Sequence, residues 1–346
     1  NSYLDVSDFQ GKYEAGAAVP GTYTVTFSKV GFTTGVDTVH LSAGVVKIDT
    51  LKLCPSPTFT YTGRVFDNVT SAGIAGAHVS VFNANSRWDT ITDANGNYSF
   101  HTIYDGNYSV AAGKWGYITK SVNNQNLTYS SPPMNIGLAK GLYDDFMWDY
   151  GWTVSGNATQ GMWVRDVPLG TPYQSTFANP NVDVPSDCGY DAYVTGNTGV
   201  TSSDDDVDGG ATVLMSPTFD LTSYSNPYIF YSRWKALYSG TTDSVAILLS
   251  NGVSTVVLED LFYNSPGQSQ WVNRNYRISP KITPTANMNV IVIASDNGPD
   301  NIVEAGFDKF FIKDSANSAV ESINEDQVFV KVYPNPFSEN AILRIM

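Results

Sequence analysis

The chain has 346 residues, 42% of them hydrophobic and only 15% charged. Thirty-three Asp and Glu against 19 Lys and Arg leave a net charge of −14; this argues against a nucleic-acid partner, which needs a basic face, and against an anionic membrane surface. No run of about 18 apolar residues exists, so no membrane-spanning helix is expected.

At roughly 150 residues per domain, the length allows two or three domains. The sequence opens at Asn1 without a leader pattern and stops at Met346 inside a strand pattern, so it reads as a piece of a longer precursor. Strand signals dominate throughout. Residues 22–27, 58–66, 78–82 and 289–294 alternate apolar and polar side chains, and Gly, Pro, Asn, Asp and Ser clusters separate such runs. No helical stripe exceeds about two turns. Strands at this spacing with such turns indicate an all-β fold of sandwiches or barrels.

A gapless repeat links the first two parts at an offset of 85 residues. Asp8-Phe9-Gln10-Gly11-Lys12-Tyr13 aligns with Asp93-Ala94-Asn95-Gly96-Asn97-Tyr98, Gly21-Thr22-Tyr23 with Gly106-Asn107-Tyr108, and Lys29-Val30-Gly31-Phe32 with Lys114-Trp115-Gly116-Tyr117. Asp-x-x-Gly is a tight turn, with Gly at positive φ and Asp bonding the turn backbone. The first copy shows only its later part, so two of its strands are expected before Asn1.

The order Gly63-Arg64-Val65-Phe66, Ile74-Ala75-Gly76-Ala77-His78-Val79 and Thr92-Asp93-Ala94-Asn95-Gly96-Asn97-Tyr98 resembles the carboxypeptidase regulatory-like module, a transthyretin-like sandwich. The resemblance implies a non-catalytic module of secreted or surface proteins, zinc carboxypeptidases among them. From Gly141 the chain is richer in Trp, Asp and Gly. Tyr143-Asp144-Asp145-Phe146, Gly151-Trp152, Asp206-Val207-Asp208-Gly209-Gly210, Ser216-Pro217-Thr218-Phe219-Asp220-Leu221 and Val303-Glu304-Ala305-Gly306-Phe307-Asp308-Lys309-Phe310 follow in order. They resemble the jelly roll found behind the catalytic domains of secreted bacterial metallopeptidases. Val332-Tyr333-Pro334-Asn335-Pro336-Phe337, after a polar linker, is similar to the opening of a type IX secretion sorting domain, which implies a Bacteroidetes-type source. The resulting division is a partial regulatory-like repeat at 1–54, a complete one at 55–140, a calcium-binding jelly roll at 141–314, and a linker with the start of a sorting domain at 315–346.

Chemistry concentrates in Asp204-Asp205-Asp206-Val207-Asp208, four carboxylates in five residues before two glycines. A solvated loop is the plain reading of such a run. Ca²⁺, which takes six to eight oxygens, is the functional one. The jelly rolls that this segment resembles hold structural calcium. Since the first and last strands of a jelly roll can be neighbours, one ion could join the loop to both ends, with Asp145, Asp206, Asp208 and Asp308 as expected ligands. No His or Cys accompanies these acids, which favours calcium over zinc. Cys54 and Cys188 lie in no CxxC pattern, and His40, His78 and His101 read as strand residues. No catalytic constellation is recognised. Among the aromatics, Trp152 and Trp163 read as core, whereas Trp88 and Trp271 flank polar turns and read as exposed.

The expected function is a non-catalytic accessory and secretion-targeting region of an extracellular or cell-surface protein, its upstream catalytic domain a zinc metallopeptidase. Its partners would be the type IX secretion machinery, cell-surface components or glycans. The alternatives are a surface adhesin or fibre subunit and a carbohydrate-binding module.

Overall fold

The computed structural model describes residues 6–8, 11–14, 17, 19–44, 46, 48, 50–185, 187–238, 242–298 and 301–314, with the backbone of 330–333 and 342–345. The polar linker and residues 334–337 of the sorting-domain motif lie outside the described residues. Described secondary structure is almost entirely β.

A first hairpin pairs β1 (Gly21–Phe27) with β2 (Gly35–Leu41). A smaller sandwich follows, made of β3 (Thr58–Asp67), β4 (His78–Asn83), β5 (Ser86–Ile91), β6 (Asn97–Tyr104), β7 (Gly106–Gly113), β8 (Lys120–Leu127) and β9 (Met134–Leu138). Its sheets run β6-β3-β9, with β9 parallel to β3, and β5-β4-β7-β8. Alternation brings Tyr61, Val65, Val79, Val81, Phe100, Val110 and Ile136 together between them. His40, His78 and His101 lie on strands β2, β4 and β6.

The larger sandwich contains β10 (Leu142–Asp144), β11 (Thr153–Gly156), β12 (Trp163–Asp166), β13 (Pro172–Tyr173), β14 (Thr176–Phe177), β15 (Ala192–Thr195), the one-turn helix α1 (Ser202–Asp205) and β16 (Gly210–Met215). It continues with β17 (Tyr228–Tyr238), β18 (Ser244–Ser250), β19 (Thr255–Leu261), β20 (Val272–Arg277), β21 (Asn289–Asp296) and β22 (Ile302–Lys313). One sheet runs β12-β15-β22-β17-β20 with β10 added to β22; the other runs β11-β16-β21-β18-β19. Their core includes Trp152, Trp163, Tyr231, Ile247, Val292, Phe307 and Phe310. A terminal hairpin joins β23 (Val330–Tyr333) to β24 (Ile342–Ile345). Among the described residues, no helix is long and apolar enough to cross a membrane.

The 85-residue offset extends to individual hydrogen bonds. Asp8 Oδ1 accepts the Lys12 amide at 2.8 Å, and Asp93 Oδ1 accepts the Asn97 amide at 2.8 Å. The Gly31 carbonyl accepts from Ser56 at 2.9 Å, and the Gly116 carbonyl from Gly141 at 3.1 Å. The bridge Phe32 to Pro55 recurs as Tyr117 to Lys140. Each copy therefore hands the chain to the next unit through the same turn.

The two tryptophans read as exposed are half-buried. Trp88 packs edge-on against Tyr104 and Tyr108, and Trp271 lies across Trp234. These ring contacts come from other strands, which the local sequence does not reveal. Trp152 and Trp163 are core residues.

Gly11 and Gly96 have the same left-handed backbone, φ +80° and +83°, in different surroundings. A Cβ at Gly96 would lie 2.3 Å from the Val65 carbonyl oxygen, whereas one at Gly11 would meet nothing within 4 Å. Gly11→Ala is expected to cost only the backbone term, about 1 kcal/mol. Gly96→Ala should cost clearly more, read as a larger drop in the urea midpoint of the full chain. Equal losses would contradict this packing.

Candidate metal centre

Two short strands lie end to end along one edge of β22. β10 pairs with it from Asp144 opposite Phe310 to Leu142 opposite Ile312, and β15 pairs with it at Gly306 and Phe307. Asp308 and Lys309 fall at the gap between them. On the other edge the register with β17 jumps between Phe230 and Ser232. Lys309 there has φ +51°, the signature of a bulge. The extra residue lets Phe307 and Phe310 both enter the core, while Asp308 turns to the loop that closes the gap.

That loop joins β14 to β15. The Trp234 indole N–H donates to the Ala178 carbonyl at 2.6 Å, and the Trp271 indole N–H to the Val182 carbonyl at 2.8 Å. The Asn179 amide donates to the Thr195 carbonyl at 2.6 Å. So pinned, the loop brings Asp183 and Asp187 to Asp308, with one carboxylate oxygen of each within 4.8 Å of the others. That separation is about the diameter of a calcium shell with ligands at 2.3–2.6 Å. Asp145, the residue after β10, adjoins the group and interacts electrostatically with Asp183 and Asp187. It is fully buried; Oδ1 accepts the Met147 amide at 3.4 Å, and Oδ2 accepts the Cys188 amide at 3.2 Å.

Donors for these acids are scarce. Asp308 is fully buried, its Oδ1 accepts its neighbour's amide at 2.6 Å, and its Oδ2 has no hydrogen-bond donor. Asp187 Oδ2 also lacks one. Burial, and then the other carboxylates, raise the Asp187 and Asp308 pKa values; burial also raises that of Asp183. Burial pushes Asp145 up to about 7. Asp144 is pushed up to about 8 by burial and by Asp145, although it accepts from the Phe146 amide and the Trp152 indole. The Lys309 ammonium lowers Asp183 and Asp187 against these effects. A hard divalent cation would neutralise the group and occupy the bare oxygens.

The four residues expected as ligands divide between two places. Asp308 belongs to the group of three and Asp145 adjoins it, whereas Asp206 and Asp208 are not among its members. Helix α1 and the following turn send the acidic run in different directions. Asp205 accepts the Thr198 and Gly199 amides at 2.7 and 2.9 Å, and the Asp208 carbonyl accepts the Thr159 amide at 2.8 Å. Asp206 lies near Glu304, whose Oε2 accepts the Thr195 hydroxyl at 2.5 Å. Asp183 and Asp187 escaped the sequence reading because they are isolated acids among Val, Pro and Ser. Their four-residue spacing beside Cys188 was the one available signal. Among the described residues, Cys54 and Cys188 are free thiols.

Residues 60–138 match the family model of the carboxypeptidase regulatory-like domain. No curated protein matches the chain. A type II cohesin–X-dockerin complex from Acetivibrio cellulolyticus is 23% identical with a TM-score of 0.21, over 24% of this chain and 58% of that one. The K3 cleaved adhesin domain of Lys-gingipain from Porphyromonas gingivalis is 11% identical with a TM-score of 0.30, over 50% and 96%. The C-terminal family 22 carbohydrate binding module of Clostridium thermocellum Xyn10B is 15% identical with a TM-score of 0.27, over 49% and 90%.

The raised carboxylates bind more protons in the folded chain than in the unfolded one, from their ordinary value of 3.8 up to their raised values. Cation-free stability must therefore fall as pH rises through that window, by up to about 1.4 kcal/mol per pH unit for each group. In EGTA the melting temperature of the larger sandwich is expected to drop between pH 5 and pH 8. Saturating Ca²⁺ should remove the drop, because the ion binds the deprotonated groups. A flat profile in EGTA would contradict the assignment.

Proposed function

We propose that this chain is a non-catalytic accessory region of an exported multidomain protein, and that its larger sandwich is stabilised by a structural Ca²⁺ held by Asp145, Asp183, Asp187 and Asp308. The observation that carries the reading is the Asp308 carboxylate, fully buried with one oxygen lacking a donor and with other carboxylates as its neighbours. An ion at this position joins the first strand of the sandwich to its last, and both to the loop between β14 and β15. Its chemistry is crosslinking, which suits a module that spaces or positions a partner outside the cell.

The sequence resemblances support a metallopeptidase as the parent and type IX secretion as the export route, with the match at 60–138 as the support for a carboxypeptidase-like parent. Sequence upstream of Asn1 tests this: a zinc-binding His-x-x-Glu block favours the peptidase, and further sandwich repeats favour an adhesin or fibre.

At 100 times its Kd, Ca²⁺ should stabilise the folded chain by about 2.7 kcal/mol. For a domain of this size, that is a rise of about 5–10 °C in melting temperature. Asp308→Asn should abolish the rise, and Asp208→Ala should leave it intact. A rise that survives Asp308→Asn, or that Asp208→Ala removes, would overturn the site.

One observation favours a carbohydrate-binding role beside this one. Phe262 and Tyr263 are 43% and 51% exposed at the end of β19. The Lys235 ammonium holds their backbone in place, donating to the Phe262 and Tyr263 carbonyls at 2.9 and 3.3 Å and to Gln268 Oε1 at 2.9 Å. Adjacent fixed rings of this kind can stack on sugar faces. Glycan-array binding that Phe262→Ala and Tyr263→Ala reduce at least tenfold is the expected result; an array without signal removes this role.

A further inference from the structure

We propose that the cation held by the Asp308 cluster governs how firmly the smaller sandwich docks on the larger one. The inference rests on the cation reading above, and it concerns what occupancy of that site controls.

The segments that bring carboxylates to Asp308 are also those that touch the smaller sandwich. Three residues beyond Asp145, the Trp148 indole N–H donates to Ser80 Oγ at 2.8 Å, and its ring stacks on His78 with centroids 5.8 Å apart. Between them, the Met147 carbonyl accepts from Arg87 Nη2 at 2.7 Å. Four residues beyond Asp187, Asp191 accepts from Arg87 Nη1 at 3.2 Å. Met147 and Trp148 pack with Ala111 of β7, and Phe82 and Cys188 close the same apolar cluster. The Cys188 amide, bonded to Asp145, stitches the two segments together.

Asp308 itself belongs to a long strand paired on both edges. An ion bridging it to Asp145 and Asp187 fixes both segments against a rigid base, and with them the surface that receives β4 and β5. Without the ion that bridge is missing, and the two segments lose this tie to β22. A second contact does not pass through these segments. Trp115, from the turn between β7 and β8 of the smaller sandwich, donates to the Thr218 carbonyl at 3.1 Å and stacks on Phe310 with centroids 6.1 Å apart. Loss of the ion should therefore loosen the two sandwiches about Trp115 without separating them.

Linkage makes the proposal testable in both directions, because whatever the ion does to docking, docking must do to ion affinity. Arg87→Ala removes a docking contact and also a positive charge. By charge alone this tightens cation binding, so a weakening reports docking. The first measurement is calorimetric titration of Ca²⁺ into the full chain and into Arg87→Ala. The second is X-ray scattering of the full chain in EGTA and in Ca²⁺. Trp148→Phe, which keeps the ring and loses the indole donor, is the milder companion variant. The expected results are a Ca²⁺ Kd at least about fivefold weaker in Arg87→Ala, a smaller weakening in Trp148→Phe, and a broader distribution of interatomic distances in EGTA. If the chain binds Ca²⁺ with unchanged or tighter affinity in Arg87→Ala and scatters identically in both conditions, the docking proposal is overturned and the cation site stands. If the wild-type chain binds no Ca²⁺, both are overturned.

Discussion

The burial of several carboxylates at one break in a β-sheet is the constraint on which the rest of the molecule depends. β10 and β15 cannot both run along β22 without leaving a gap, and the bulge at Lys309 turns Asp308 into that gap. A carboxylate there loses water and gains few donors, at a cost of several kcal/mol unless it is neutralised. The loop between β14 and β15 makes matters worse by adding Asp183 and Asp187. Indole donors from Trp234 and Trp271 hold that loop down, so the sheet itself enforces the convergence. The divalent cation proposed above would resolve the conflict and turn an electrostatic liability into a clamp on the first and last strands.

Much of the fold was legible in the sequence because it is written in local rules. Period-two alternation marks the strands, and Asp-x-x-Gly and Lys-x-Gly turns mark their ends. The repeat offset of 85 residues reaches both the local hydrogen bonds at Asp8 and Asp93 and the longer-range ones at Ser56 and Gly141. The candidate site was only half legible. Asp145 and Asp308 could be found because they flank the presumed first and last strands. Asp183 and Asp187 could not, because only the tertiary path of a pinned loop brings them in. Asp206 and Asp208 are suggested by the density of the acidic run; the structure places Asp206 near Glu304 and bridges the Asp208 backbone to Gln160.

The two repeat junctions show how little sequence separates a loose connection from a docked one. Backbone hydrogen bonds at the exits of the two copies are equivalent. In the first copy, the turn residue is Val30, 53% exposed. In the second it is Trp115, which enters the aromatic cluster of Phe219, Phe310 and Trp152. One large ring at the same backbone position thus gives the second junction an apolar anchor that Val30 does not supply. The carboxylate cluster lies on the strand that carries Phe310, so the proposed ion would sit beside that anchored junction.

The central claim is the position of the ion, and anomalous diffraction from crystals of the full chain grown with Tb³⁺ in place of Ca²⁺ would test it most directly. The account predicts a strong peak among the carboxylates of Asp145, Asp183, Asp187 and Asp308. A peak at the Asp204–Asp208 run, or none at the Asp308 gap, would contradict it.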